Sequence, residues 1–534
     1  MKKALLISPP VYDTQYWERW SLPHGLLKVA THLKRHGYQI KLVDCLLGDE
    51  KGLVRKKHMT IVQVGTGRRR VPNSWSERVK DDEKALYCFG KSIEELEKEF
   101  QECSLFDEDE HFWTPDEVWI TSIMTYWWES THDVVAVCKK YFPKARIRVG
   151  GIYPTLAPEH AEKNLGLDSP LVISGGQLNL SDEKQMACDL IVTGEIPEAN
   201  DLELDLDLYP DRGNSRPKYT ILTTSRGCPR DCEYCAAYVL SGRKVRARDV
   251  NSVIDEIRAK YTQGIREFCF YEDNLLMAKK NFKEILTCII EDKDLKGIGL
   301  HSPEGLEIRL VDPELAKLMK AAGFRRVYLP LETIDYQTIA QWGRDFYTLK
   351  DFERAVRIFE DAGFTKPQQI NVFVLFGLPG EDLQHVYDTA IYAATRTGSV
   401  IPMLFASVPG TPLFKKFEDY FAERGFDLHD LNGKLLPFLE YNRRVMKNKY
   451  DLTSQDYYDV EAFMFRLNEK VRERTFRPGA ENRISISFRE VFTNYRSVFD
   501  RLSSKKYRPA VSVGSGVHDW ITEYHGTGKS LITG

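Results

Sequence analysis

Thr223-Thr224-Ser225-Arg226-Gly227-Cys228-Pro229-Arg230-Asp231-Cys232-Glu233-Tyr234-Cys235 follows an apolar run and carries three cysteines at the spacing C-x3-C-x2-C. Thiolates set this closely on a turn after a strand can converge on one metal centre. Three of them can each hold one iron of a cubic [4Fe–4S] cluster and leave the fourth iron without a protein ligand, which makes that iron a reaction site. A structural zinc is the competing reading. Zinc usually closes a tetrahedron with a second Cys or His pair, and none follows here at zinc-finger distance.

With the aromatic Tyr234 just before the last cysteine, this spacing resembles the signature of the radical S-adenosylmethionine (SAM) superfamily. The resemblance implies that Cys228, Cys232 and Cys235 hold the cluster and that its open iron chelates the amino and carboxylate groups of SAM. It also implies that Tyr234 lies beside the adenine, and that an electron from the cluster cleaves the sulfonium to a 5′-deoxyadenosyl radical.

Downstream, apolar runs at about Tyr219 to Thr224, Glu267 to Tyr271, Gly297 to Leu300 (with an extension to Leu310 open), Arg326 to Leu331, Gln369 to Phe376 and Ile401 to Val408 read as strands. Helical patterns such as Val253 to Tyr261, Pro313 to Ala322 and Tyr347 to Ala362 separate most of them. Six strands with right-handed crossovers predict a partial (β/α)6 barrel, with function at the C-terminal strand ends. Polar residues gather there. Alone, each reads equally well as a turn or a cap. In this order after the cysteines, the resemblance assigns Glu272, Asp273, Asn274, Glu304, Arg309, Glu332, Gly377, Pro379 and Gly380, with Tyr234, to SAM. Val408-Pro409-Gly410-Thr411-Pro412 is a further match.

Upstream, Ala4 to Ser8, Gly25 to His36 and Ile40 to Val43 read strand, helix, strand. The pattern resumes with Val118 to Ser122, a helix around His132 to Tyr141, Ile147 to Val149 and Leu190 to Glu195. Alternation at this interval predicts a doubly wound parallel sheet that binds ligands at the carboxyl ends of its strands. This half resembles the cobalamin-binding Rossmann domain of cobalamin-dependent radical SAM enzymes. The resemblance assigns Ser8, Pro9, Leu22, Gly25, Ser122, Met124, Thr125, Tyr126, Gly150, Gly151, Ile152, Tyr153, Gly194 and Glu195 to cobalamin. No D-x-H-x-x-G occurs, and the nearest string, Asp44-Cys45-Leu46-Leu47-Gly48, has no histidine. No protein imidazole is therefore expected on the cobalt. The plainer reading is a degenerate Rossmann module that binds nothing.

At 534 residues the chain is long enough for about three domains. We place a Rossmann-like domain at 1–200 with an insertion at about 48–115, a linker at 201–218, the barrel at 219–415, and a mainly helical cap and tail at 416–534. Within the insertion, Lys91 to Cys103 sets Leu96 and Phe100 on one helical face, and an interruption this long suits a lid or partner surface. Arg68-Arg69-Arg70 and the acidic run Asp107 to Glu110 read more simply as solvated charge. The aromatic residues Tyr441, Tyr450, Tyr457, Tyr458, Phe463 and Phe465 suit either a lid or core packing. His525-Gly526-Thr527-Gly528-Lys529-Ser530 fails as a phosphate loop because Glu523 stands where the first glycine belongs.

A net charge of −3, with 42% hydrophobic and 29% charged residues, argues against nucleic acid as a partner. No apolar run approaches the roughly 20 residues of a membrane span. Met1 to Pro10 ends in a Pro-Pro turn and reads as a first strand rather than a signal peptide. Reduced scattered cysteines and an oxygen-sensitive cluster suit the cytoplasm.

The resemblance implies a cobalamin-dependent radical SAM methyltransferase that methylates an unactivated carbon of a peptide or small molecule, with a reductant such as flavodoxin or ferredoxin. A non-methylating rearrangement or cyclisation, and a non-catalytic redox or cobalamin sensor, are the alternatives.

Overall fold

The computed structural model describes residues 1–13, 22–46, 60–61, 63–64, 68–69, 87–101, 113–209 and 217–475. Arg70, Cys103, the acidic run 107–110, part of the expected linker and the tail with its Gly-Thr-Gly-Lys string lie outside them.

The N-terminal sheet has six strands: β1 (Lys3–Ser8), β2 (Gln39–Asp44), β3 (Glu117–Ser122), β4 (Arg146–Gly151), β5 (Leu171–Ser174) and β6 (Leu190–Thr193). Their order is β5-β6-β4-β3-β1-β2, and every pairing is parallel. Ala4, Leu5, Leu6 and Ile7 are all fully buried, because helices cover both faces and leave no side of β1 to water. Helix α1 (His24–Arg35) follows β1, and α2 (Trp128–Tyr141) joins β3 to β4. The order reverses between β1 and β3, which opens a crevice at their carboxyl ends.

Part of the insertion is ordered secondary structure. Tyr87–Phe89 pairs antiparallel with Val11–Asp13 and with Thr60–Ile61. Ser92 and Glu95 cap helix Ile93–Gln101 reciprocally, and Leu96 and Phe100 are its buried residues. That helix packs on α2, at the flank of the sheet.

The second α/β series contains β7 (Tyr219–Leu222), β8 (Glu267–Phe270), β9 (Gly299–His301), β10 (Val327–Glu332), β11 (Ile370–Phe376) and β12 (Val400–Leu404). These are the six strands of the expected partial (β/α)6 barrel series. Among the described residues they pair as two sheets, β7-β8-β9 and β10-β11-β12, linked by a Leu300–Phe324 bridge. Strand β9 also stops at His301 instead of running to Leu310, because Pro303 soon after it has no N–H to donate to a ladder. Local signals were otherwise sound. Helix Pro313–Ala322 starts where the Asp312 carboxylate accepts from the Leu315 N–H (2.8 Å), and ends at Gly323 with φ +102°.

Residues 201–209 are packed rather than loose, since Leu204, Leu206 and Tyr209 join the barrel's main core together with Leu22, just before α1, and Leu27 of α1. After the cysteines comes α4 (Ala237–Ser241), while α5 (Tyr336–Gln341) and α6 (Leu349–Asp361) follow β10. At the end, α7 (Ser454–Thr475) packs on β12 and on helix Leu383–Thr397. Tyr450, Tyr457 and Phe463 are buried in the same core, which makes them packing residues; Phe465 is exposed.

Candidate functional site

The cysteine loop is clamped at the junction of the two α/β units. At the end of β8, the Glu272 carboxylate is buried and accepts from the Thr224 N–H (2.5 Å), the Ser225 N–H (2.9 Å) and both hydroxyls (3.1 and 3.3 Å). Burial pushes this carboxyl above its ordinary range, while the Thr224 and Ser225 N–H groups, the Thr224 hydroxyl and the Arg226 charge pull it back. Asp273 accepts from the Gly227 N–H (2.7 Å) and the Ser241 hydroxyl (3.1 Å). Gly227 itself has φ +97°, and a Cβ there would meet the Lys244 carbonyl oxygen at 2.2 Å. No residue larger than glycine fits this turn.

Cys228 and Cys232 are buried and Cys235 is partly so. Burial raises all three thiols, that of Cys235 to about 11, so they stay neutral until a metal displaces the protons. Arg344 opposes burial at Cys232. Among the described residues no three His, Cys, Asp or Glu side chains close on a single-ion position. In a cubane each thiolate would hold its own iron. Beside them, Asn274 Oδ1 and Arg344 Nε are buried polar atoms without a hydrogen-bond partner in the protein. A cluster with its ligands fits this loop: three thiols, two unspent polar atoms and a glycine turn.

The remaining barrel residues differ in what they offer. Asn274 donates to Glu307 (2.9 Å), which also pairs with Arg230. Glu304 has exposed surface, yet desolvation first and Asp273 second push its carboxyl up to about 7. Glu332 closes β10 at φ +62°, a costly backbone for a non-glycine residue, and burial raises its carboxyl although Arg344 lies 3.9 Å away. Gly377 has φ +91° and its N–H donates to Glu381 (2.5 Å). The Gly380 N–H donates to Asn442 Oδ1 (2.7 Å), and Asn442 in turn donates to the Leu378 carbonyl and the Tyr457 hydroxyl, both at 2.8 Å. The half-buried Pro379 lies between them. Asn442 comes from the C-terminal cap and had no signal in the sequence. Arg309 does not join the group; it is exposed, and its guanidinium donates to the Phe346 carbonyl (2.6 Å).

On the other side, Ser8 ends β1 with Pro9 just after it, and Ser122 ends β3 with Met124, Thr125 and Tyr126 following, on the two banks of the crevice. Gly150 and Gly151 end β4, where a Cβ on Gly151 would lie 2.4 Å from the Ser122 carbonyl oxygen. The next helix, α3 (Ile152–Leu156), packs on α4 just past the cysteines. Gly25 is exposed at the start of α1, and no protein atom lies within 4 Å of where its Cβ would be. Gly194, at φ +70° after β6, donates its N–H to Thr155 (2.8 Å).

Three side chains assigned to cobalamin are spent elsewhere. Leu22 is buried in the barrel's core. Tyr153 is buried with its hydroxyl on His160 (2.8 Å), and His160 contacts Asp427 (2.8 Å) in the cap. Glu195 reaches across the junction to Arg226 (3.6 Å) and Arg246 (2.6 Å) on either side of the cysteines. Periodicity marks a strand end but does not say which neighbour its side chain meets.

Residues 222–393 match the family model described as the radical SAM superfamily. That stretch is a radical SAM domain. Cytidylyl-2-hydroxyethylphosphonate methyltransferase of Streptomyces wedmorensis is 21% identical over 471 residues, covering 76% of this chain and 80% of its own. Among solved structures, TsrM of Kitasatospora setae, a radical SAM methyltransferase solved with cobalamin and a [4Fe–4S] cluster, superposes at a TM-score of 0.53 and 17% identity, covering 79% of this chain and 76% of its own. OxsB, a cobalamin-dependent SAM radical enzyme, superposes at 0.51 and 12% identity, covering 95% and 76%. At these identities the likeness is one of fold. No helix among the described residues is long and apolar enough to cross a membrane.

Proposed function

We propose that the chain is a cobalamin-dependent radical SAM C-methyltransferase. The observation that carries this is the direct apposition of the cysteine loop and the carboxyl edge of the Rossmann sheet, through α3 on α4 and Glu195 on Arg226 and Arg246. Two cofactors that must act on one carbon need adjacent seats. Cys228, Cys232 and Cys235 would hold the cluster. Tyr234, Glu304, Glu332, Gly377, Pro379, Gly380 and the backbone of 272–274 would receive SAM. The crevice residues from Ser8, Pro9, Gly25, Ser122 to Tyr126, Gly150 to Ile152 and Gly194 would receive cobalamin. When bound, these groups supply a hydrogen-abstracting radical and a transferable methyl group. The chain's own work is to hold them in register and keep water from the site.

Its partners would be a low-potential reductant such as flavodoxin or ferredoxin and a peptide or small-molecule substrate, in the cytoplasm. The test is purification without oxygen from cells supplied with cobalamin, followed by denaturation and measurement of cobalamin per chain, then transfer of labelled methyl from SAM to a product 14 mass units heavier. Absence of retained or rebound cobalamin while the cluster is intact would overturn the proposal.

Glu304 makes one pH prediction. An ionised carboxylate accepts hydrogen bonds that a protonated one meets less well. Affinity for SAM should therefore rise as pH increases through about 7, where Glu304 ionises. Equilibrium dialysis from acid to mildly alkaline pH should show this rise, and Glu304→Gln should flatten it.

A further inference from the structure

The segment Trp342 to Tyr347, between α5 and α6, lies against the cysteine loop and has no role in the assignments above. The Glu233 N–H donates to the Trp342 carbonyl (3.0 Å), and the Trp342 ring meets Tyr234 edge-on at 5.9 Å. Gly343, at φ +64°, comes so close that a Cβ would lie 2.7 Å from the Asp231 carbonyl oxygen and 3.8 Å from Cys232 Cα. The next residue, Arg344, turns inward. Its side chain is 11% exposed, Nη1 donates to the Tyr234 hydroxyl (3.0 Å), and Nη2 donates to the Pro330 carbonyl (3.2 Å). The rings of Tyr347 and Phe346 face the guanidinium at 5.3 and 5.5 Å. Its third donor, Nε–H, is buried and has no partner.

A guanidinium this enclosed is normally matched by an anion. The nearest carboxylate, Glu332, is 3.9 Å away and makes no hydrogen bond to it. Three thiolates make the adjacent cluster anionic, and taking up an electron adds to that charge. A fixed positive charge in a low-dielectric setting favours the reduced form.

We propose that Arg344 is the counter-charge of the cysteine loop, a positioning residue that holds Tyr234 and raises the reduction potential of the cluster bound there. The inference rests on the radical SAM reading. The electron itself comes from an external one-electron donor, dithionite in the test, and only the ease of its uptake depends on Arg344.

The experiment is an EPR-monitored redox titration of reconstituted full-length protein, with iron counted per chain. Arg344→Gln should lower the ratio of reduced to oxidised cluster at a given potential about tenfold, which is about 59 mV for a one-electron couple. Arg344→Lys, which keeps the charge, should recover most of this, and Tyr234→Phe should leave the midpoint unchanged. A wild-type midpoint in a fully loaded Arg344→Gln protein would overturn the proposal. If that variant assembles no cluster, Glu332→Gln decides: removing the opposing charge should move the midpoint upward, and an unmoved midpoint would overturn the role. Failure of the wild type itself to take up iron and give a cluster signal would instead overturn the radical SAM reading.

Discussion

Replacing Cys228, Cys232 and Cys235 together by alanine is expected to yield a folded chain that retains no cluster iron after reconstitution and releases 5′-deoxyadenosine from SAM only at background. The loop is anchored mainly by groups other than its thiols. Glu272 and Asp273 anchor it from β8, the Trp342 carbonyl takes the Glu233 N–H, and the Glu233 carbonyl accepts from the Leu413 N–H at 2.9 Å. Truncating partly or fully buried thiols costs about 1 kcal/mol each, an ordinary mutational loss. Thermal melting of the metal-free proteins should thus differ by only a few degrees, while iron content and SAM cleavage collapse. A variant that kept its iron would show that the ligands lie elsewhere.

The cysteine loop was legible in the sequence because its chemistry is local: three ligands, a glycine turn and an aromatic residue within thirteen positions. The parallel sheet was equally legible, since a strand buried on both faces must be apolar throughout, as Ala4 to Ile7 are. Helix Pro313–Ala322 carried its start and stop in Asp312, Pro313 and Gly323. What escaped is what distant segments do to one another. Arg344 meets Tyr234 from 110 positions away, and Asn442 reaches Gly380 from 62. Neither contact leaves a periodic trace. The same blindness explains Glu195, just after β6, and Arg309, in the short helical turn Ile308–Leu310, whose charges are turned to bracing neighbouring segments. The early end of β9 follows from Pro303, yet a proline near a strand end does not by itself reveal where a strand will stop.

Glu272→Ala is expected to destabilise the metal-free protein by about 3–5 kcal/mol, well beyond any single cysteine substitution, and to prevent cluster assembly. The carboxylate is the acceptor for two backbone N–H groups and two hydroxyls in a site with almost no water. Removing it strands those donors, and each unsatisfied buried group costs roughly 1–3 kcal/mol before any relaxation. Thr224 and Ser225 lead directly into the loop, so their release frees the segment that sets where Cys228 stands. Glu272→Gln tests the argument more finely. A glutamine oxygen satisfies some of the donors, but its NH2 group presents hydrogens where the second carboxylate oxygen met donors, and it should recover only part of the loss. Urea unfolding of the alanine, glutamine and wild-type proteins, read beside iron per chain, gives both quantities. Equal stability of alanine variant and wild type would mean that the four bonds do not hold the loop, and the clamp at the end of β8 would have to be assigned to Asp273 alone.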